Sequence, residues 1–578
     1  MKPVAIVFSV GVVGLLMWLV NRAGQADPPL AVPTPAVDAE PIEQSVVKVN
    51  AWLRRHWADE GVDPAELADD LTVFRRLSLA LHGTIPSLQE INAFRQDTGN
   101  DRIERWVVRM LEDDRFADYF AERLERVLVG VEEGTFVIFR RDRLRAWLSE
   151  QLQQDRPWPQ IVTDLIASEG LWTSAAASNF VTAAHVDGEG LDENKLAGRT
   201  VRAFLGQRID CAQCHDHPFD DWKQSDFEGL AAFYGQARVT PGGVIDRTKE
   251  DGRPVVYEVI DPGDEEGRLV EPQFPFHPEW ASEDTHRRRQ LASWIIHPEN
   301  RRFERAIANR VWGLMFGRSW DDPVDDLGHP YDDEQERDLL DVLGGEFRTH
   351  AGSLKSLIRI IAQSDAFRLR SDVPGVDVET YSEMDFHGAV FPLVRLRPEQ
   401  MIGSMFQAAR VRTIDRNSNL FIRFARFTNE NDFLKEYGDA EDDELLQQSG
   451  TIPQALLRMN GRFTRELTKT ELLTTAGQVM RYSGDDETIV QNCFLACLTR
   501  LPTTEERLYF TQQLQDVASR QTQQDSDQTR VSPAISHPDD GEVENSTAEP
   551  DQQYTSRQQV VKDMFWLLYN SPGFSWNH

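Results

Sequence analysis

A mainly α, multi-helical two-domain protein is what this sequence predicts, and three observations carry the prediction. Apolar residues recur at three- and four-residue spacing through most of the chain. Strand signals are few: Val255–Ile260 is the clearest, with Val270 and its neighbours a weaker partner, which gives a small β element near 255–272. Turn residues and capping pairs punctuate the periodic stretches at helix-length intervals.

The elements follow in order. Val4–Val20 is an unbroken uncharged run after Lys2, so residues 1–26 read as a membrane anchor or an export signal, with a cleavage site conceivable after Ala26. Residues 27–44 are rich in Pro, Ala and Val and read as an extended stalk. A first helical domain, 45–240, opens with Val46–Trp57, Leu67–Leu81 and Leu88–Arg95, the last two separated by the Thr84-Ile85-Pro86-Ser87 turn. Ile103–Leu111, Phe116–Val129, Arg140–Gln154 and Pro159–Ser168 continue the pattern. Ala197, Val201, Phe204 and Leu205 mark a further helix, and Ser225-Asp226-Phe227-Glu228 is a capping box that opens the next, ending near Gly235. A connecting segment with short strands spans 241–280, and a second helical domain spans 281–578. Within it, 516–557 is dense in Gln, Asp, Ser and Thr and reads as a disordered insertion, before Val560–Tyr569 resumes an apolar helix.

Composition narrows the function. The 578 residues carry a formal net charge of −33, which argues against nucleic-acid binding and fits an exported body kept soluble by self-repulsion. Four cysteines are too few for a disulfide-built scaffold. Two of them stand in Cys211-Ala212-Gln213-Cys214-His215, and Cys-x-x-Cys-His is the attachment sequence for a c-type haem. Each thiol can add across one porphyrin vinyl group, and the adjoining imidazole can ligate the iron as proximal ligand. One covalent haem c per chain is therefore expected at Cys211 and Cys214, with His215 on the metal. Zinc is the alternative, with His217 as a further imidazole, and an inert pair is the third reading. The cysteines lie at a helix end between two amphipathic helices, which could wall a flat apolar ligand.

Val201–Gln236 resembles the signature of the planctomycete-type cytochrome-like domain, the PSCyt family. Phe74–Phe120, with Arg75-Arg76, Leu79, Gly83-Thr84-Ile85-Pro86 and Arg115-Phe116-Ala117, resembles that domain's opening. Phe303–Gly328 is similar to the core of the PSD domain that commonly follows, as are Arg397-Pro398-Glu399-Gln400, Pro453-Gln454-Ala455-Leu456 and Leu568–Phe574. The resemblance implies an exported protein of undefined activity and carries over Cys211, Cys214 and His215 as haem contacts. Asp333-Glu334-Gln335-Glu336 departs from the family pattern and is assigned no function.

Other features carry less. Leu79-Ala80, Pro86, Glu90 and Phe94 recur as Leu495-Ala496, Pro502, Glu506 and Phe510 at one offset, which suggests a helix–turn–helix unit used twice. Cys493 and Cys497, four apart in an apolar helix, read as buried core thiols. Asp321, Asp322, Asp325 and Asp326 could collect calcium, but helix capping or pairing with Arg310 and Arg318 is the expected use. Arg287-Arg288-Arg289 reads as a solvated or carboxylate-paired face. His217 is too close to His215 to reach the far side of an iron, so His185 is the preferred sixth ligand, with Met315 or an open position as alternatives. No nucleophile elbow, Walker loop or His-Glu-x-x-His is present, and no catalytic residue is assigned. The expected function is an exported, membrane-tethered cytochrome c-like protein passing electrons to, or supporting, a redox partner. A helical scaffold with a structural Cys/His metal site is the alternative, and an exported hydrolase a distant third.

Overall fold

The structure, a computed structural model, describes residues 41–130, 138–247, 257–260, 266–330, 337–415, 474–528 and 556–578, with parts of 418–471. The Val4–Val20 run lies outside these residues. So do 529–555 and the Asp333–Glu336 stretch. Among the described residues, no helix is long and apolar enough to cross a membrane.

Helix α1 (Ile42–Glu60) is followed by α2 (Asp70–His82), α3 (Leu88–Gln96), α4 (Arg102–Glu112), α5 (Asp114–Val129), α6 (Arg141–Gln153) and α7 (Trp158–Ala167). A short hairpin, β1 (His185–Val186) with β2 (Gly190–Leu191), leads into α8 (Glu193–Leu205) and α9 (Gln224–Ala231). Hairpins β3 (Ala237–Thr240) with β4 (Gly243–Asp246) and β5 (Tyr257–Val259) with β6 (Arg268–Val270) come next. They precede α10 (Arg287–Ile295), α11 (Arg301–Phe316), α12 (Leu339–Thr349), α13 (Leu354–Ala362) and α14 (Val378–Phe386). Strand β7 (Val394–Arg395) and helices α15 (Pro398–Ala408), α16 (Thr475–Tyr482), α17 (Asp486–Leu498), α18 (Thr504–Gln528) and α19 (Ser556–Asn570) lead to β8 (Trp576–Asn577). Every described sheet is a two-stranded antiparallel pair, so the protein is mainly α.

Local chemistry explains the helix ends. In α1 the buried residues Ser45, Val49, Leu53 and Trp57 repeat every four positions, and Gly61 stops the helix in the left-handed region at φ 70°. The buried stripe packs on α12 and α13, and each fully buried side chain of this size contributes about 1.5–3 kcal/mol. Ser45 Oγ and Lys48 Nζ both reach Glu346 at 2.6 Å, fixing the register of α1 on α12.

The recurrence seen in the sequence is a repeated structural unit. Asp69 caps α2 by accepting from the Thr72 N–H and hydroxyl, and Asp485 caps α17 through the same two groups of Thr488. Both helices have 13 residues and end on a left-handed residue, Gly83 in the first and Thr499 in the second. Ser87 with Glu90 and Thr503 with Glu506 then form matching reciprocal capping boxes. Thr499 adopts φ 56° where its counterpart is glycine, a conformation that costs a β-branched residue about 1–2 kcal/mol. The units pack on each other: the buried Arg75 of α2 donates to the carbonyls of Cys497, Gly573 and Phe574.

One apolar core runs from Ile42 to Phe574 and joins the N-terminal and C-terminal halves. Arg123, fully buried on α5, pairs with Glu399 at the start of α15. Arg288 of α10 is also fully buried, bonded to Asp246 and to the carbonyls of Ile166 and Ser168. Arg287 pairs with Glu271 and Arg289 with Asp284, so the Arg287–Arg289 run is carboxylate-paired and its middle member is core. Cys493 and Cys497 are buried as expected.

Several expected boundaries move. The stalk expected over 27–44 gives way to α1 at Ile42. Leu67 forms a β-bridge with Leu369 and does not begin α2. Helix α9 starts at Gln224, because Asp226 accepts from the Lys223 N–H and Asp216 accepts from the Gln224 N–H. Helix α18 continues to Gln528 through the first part of the expected insertion 516–557, and α19 begins at Ser556. A capped start and a Gln-rich sequence, Gln being a good helix former, carry α18 on beyond its apolar first half. The β3–β4 hairpin was not expected; its signal is the Pro241-Gly242 turn, with Thr240 paired to Gly243.

Candidate functional site

Helix α8 ends at Gly206, whose φ of 66° and lack of a Cβ are both required. A Cβ there would lie 2.9 Å from Leu327 Cδ1 and 3.1 Å from Ala306 Cβ. The Leu327 N–H donates to the Gly206 carbonyl at 2.7 Å, and Gln207 Nε2 donates to the Leu327 carbonyl. Asp325 takes Arg208 at 2.8 Å and Arg202 at 3.8 Å. Asp325 of the 321–326 acidic cluster therefore grips the chain entering the cysteine segment. Of the arginines expected opposite it, Arg318 pairs with Asp385 instead.

Asp210–Gln213 then forms a single 3₁₀ turn. It lies against α8 at Gly198, where a Cβ would come within 3.1 Å of Asp210 Oδ1. Ile209 and Ala212 are fully buried and anchor the turn, whereas Cys211, Gln213, Cys214 and His215 face solvent. In a 3₁₀ turn residues three apart eclipse, so Cys211 and the turn-closing Cys214 fall on one side, about 6 Å apart along the axis. Both thiols are free.

His215 Nδ1 lies 2.7 Å from the Asp216 carbonyl oxygen. A carbonyl only accepts, so Nδ1 carries the proton and Nε2 keeps its lone pair for an acceptor or metal role. His217 has the opposite tautomer, because its Nδ1 accepts from the Phe219 N–H at 3.4 Å, and its own backbone N–H donates to the Trp222 carbonyl. Phe219 itself is 94% exposed, a large bare ring beside the cysteines.

The two flanking helices do not form the expected apolar wall. Val201, Phe204 and Leu205 of α8, and Phe227 and Leu230 of α9, are buried as the helices pack on each other. A cleft of about 610 Å³ opens instead just after the cysteine segment, lined among others by Asp220, Trp222, Phe276, Trp280, Arg302 and His329. His329 Nε2 sits 3.1 Å from Asp220, its Nδ1 bonds Arg302, and Arg302 lies over the Phe276 ring and donates to Gln207 at 2.7 Å. Burial pushes the Arg302 guanidinium down to about 10, with Asp220 opposing. Trp280 is stacked between His277 and His297, at 4.2 and 5.2 Å between centroids. These residues come from four separate stretches of chain, so no local sequence pattern announces the cleft.

The residue types present could serve a haem, and a preformed zinc site is not seen at the cysteine turn among the described residues. Two exposed thiols on one side and an imidazole with Nε2 free address different parts of a macrocycle. Tetrahedral zinc needs its donors within roughly 4 Å of each other. Among the described residues, no three of Cys211, Cys214, His215 and His217 bring their ligand atoms within 4.8 Å. His185, in β1 opposite Leu191, has a buried Nδ1 without a hydrogen-bond partner, and no hydrogen bond or ring contact is described between it and Cys211–His215. Met315 is fully buried within α11.

Residues 48–239 match the family model PSCyt2, described as a protein of unknown function (DUF1549). Residues 287–514 match PSD1, likewise described as a protein of unknown function (DUF1553). No curated protein and no solved structure matches the chain. The cysteine turn lies within the first matched region, and the cleft draws on both and on the segment between them. With the two regions in this order along most of its length, the chain belongs to the family of PSCyt2–PSD1 proteins.

Proposed function

We propose that this is an exported cytochrome c-like protein in which Cys211 and Cys214 carry one covalent haem and His215 supplies its proximal ligand. The observation that carries the reading is the turn itself: both thiols and the imidazole face outward, and the Asp216 carbonyl sets the His215 tautomer that a ligand needs. A haem bound there supplies one-electron redox chemistry or, with an open sixth position, small-molecule binding. Ile209, Ala212 and the Arg208–Asp325 pair hold the turn in place, and the exposed setting leaves a redox partner free to approach. In the same proposal the Val4–Val20 run anchors the body to the outer face of a membrane, which fractionation of the full chain tests.

Protein matured with a haem-attachment system should retain haem-dependent peroxidase staining on a denaturing gel, and Cys211→Ala with Cys214→Ala should abolish it. Colourless protein from such cells would overturn the reading. His185 is the proposed sixth ligand, because its buried Nδ1 lacks a partner. Carbon monoxide binding to the reduced protein at the same rate with and without His185→Ala removes it. The cleft favours a second reading, a binding protein whose Trp222, Phe276 and Trp280 rings and Arg302 hold a flat polar ligand.

A further inference from the structure

A second constellation lies away from the cysteine turn, where α1 meets the end of α14. His56 Nε2 and His387 Nδ1 stand 3.2 Å apart. Glu60 follows His56 by one helical turn and so shares its face of α1. The ligand atoms of His56, Glu60 and His387 all lie within 4.8 Å of one another.

The surroundings hold both rings in place. Trp57 Nε1 donates to the His387 carbonyl at 3.0 Å, and the His387 N–H donates to the Glu383 carbonyl at 3.1 Å. His56 is stacked on Trp52 at 4.8 Å and 17°, with Trp320 edge-on at 5.9 Å. Phe386 meets His387 edge-on at 5.0 Å. Gly388, at φ 64°, lets Trp320 approach to 2.7 Å from where a Cβ would sit. The imidazoles are thus partly shielded by aromatic rings, while Glu60 is exposed at the mouth.

A hydrogen bond between two neutral imidazoles would explain the 3.2 Å separation. It leaves unexplained why a carboxylate converges on the same point. Two imidazole nitrogens and one carboxylate oxygen with an open side are a zinc donor set, three protein ligands and a vacant fourth position. Calcium and magnesium prefer all-oxygen cages, so the imidazoles select against them.

We infer that His56, Glu60 and His387 form a divalent metal site of the zinc class, with its fourth position open to solvent. His56 belongs to the PSCyt2 region and His387 to the PSD1 region, 331 residues apart in sequence. A metal held there staples the two halves together. Its ligands are far apart in the unfolded chain, so binding adds directly to folding stability.

The test uses the full chain with Cys211→Ala and Cys214→Ala, so that neither haem nor the exposed thiols contribute. Calorimetry with zinc should give one equivalent bound, and cobalt(II) should give the visible bands of a tetrahedral ion. Zinc at a hundred times its Kd should raise the folding constant about 100-fold. His387→Ala should abolish binding. Glu60→Gln, at an exposed position that cannot disturb the core, should weaken it by more than roughly tenfold, the loss already expected from disturbing a ligand's supporting partner. No zinc taken up by the parent, or unchanged affinity in Glu60→Gln, overturns the inference. The outcome is independent of the haem reading, whose cysteines are absent throughout.

Discussion

Replacing Glu399 by alanine should be among the most damaging single changes in this protein. Glu399 Oε1 accepts from Arg123 Nη1 at 2.6 Å and from Arg397 Nε at 3.0 Å. The Arg123 side chain is fully buried and that of Glu399 is 7% exposed. Around them Gln400 Nε2 donates to the Leu79 carbonyl and to Tyr119, and Arg397 also bonds Tyr119, so α2, α5 and α15 meet in one polar network. Removing the carboxylate leaves a guanidinium in the core that keeps, among the described residues, the more exposed Glu122 as a carboxylate partner, at 2.8 Å. Breaking a buried pair by deleting one member costs about 3–5 kcal/mol. The surviving Glu122 contact places the loss near the lower end, about 3 kcal/mol. Urea unfolding followed by tryptophan fluorescence and far-UV circular dichroism measures it, and the slope m should stay unchanged. The double variant Arg123→Met, Glu399→Leu should recover most of the loss, because an apolar pair of similar volume is close to neutral in such a site. A loss below about 1 kcal/mol, or a double variant as unstable as the sum of its singles, would refute the reasoning. The two optical probes should also give coincident transitions, since the apolar core is continuous across both halves.

Two further outcomes follow. His82 is buried, with Nε2 on the Met110 carbonyl and Nδ1 without a partner; burial, helped by Arg115, depresses its pKa from 6.5 to about 4. The unfolded chain takes up a proton below pH 6.5 that the folded state refuses, so stability present at neutral pH is lost as pH falls from 6.5 towards 4, by up to about 3 kcal/mol. The gap between urea midpoints at pH 7 and pH 5 should narrow in His82→Gln, the remainder coming from groups such as His578, which burial also depresses to about 4; an unaltered gap would exclude His82 as a source. Thiol titration reads the four cysteines separately. Burial pushes the Cys493 and Cys497 thiols well up, while Cys211 and Cys214 are exposed. Haem-free protein should therefore react at two thiols when native and four when denatured, and haem-loaded protein at none and two. Rapid labelling of Cys493 in the native state would contradict the core.

How much was legible in the sequence depended on the range of the interaction. Leu79, Pro86, Glu90 and Phe94 recur at one offset, and Ser87 with Glu90 are three residues apart, so the repeated unit and the start of α3 could be read from spacing alone. The Asp69 cap that starts α2 was missed. The buried stripe of α1, and Cys211, Cys214 and His215 as one short constellation, were legible for the same reason: one or two turns of chain contain the whole signal. Local pattern failed where the deciding partner was remote. Arg288 reads as surface from its neighbours, yet Asp246 and the carbonyls of Ile166 and Ser168 make it core. Asp325 reads as a helix cap or a partner for the nearby Arg310 or Arg318, yet Arg208, 117 residues away, claims it. Ser225 reads as a helix cap, yet contacts from Asp216 and Asp226 start α9 earlier. The cleft at Trp222, Phe276, Trp280 and Arg302, and the meeting of His56 with His387, exist only once the chain has closed long loops. Periodicity and capping are set by backbone geometry within a few residues. Which distant side chain satisfies a buried charge or shares a ligand point is set by packing, and that the tertiary structure alone decided.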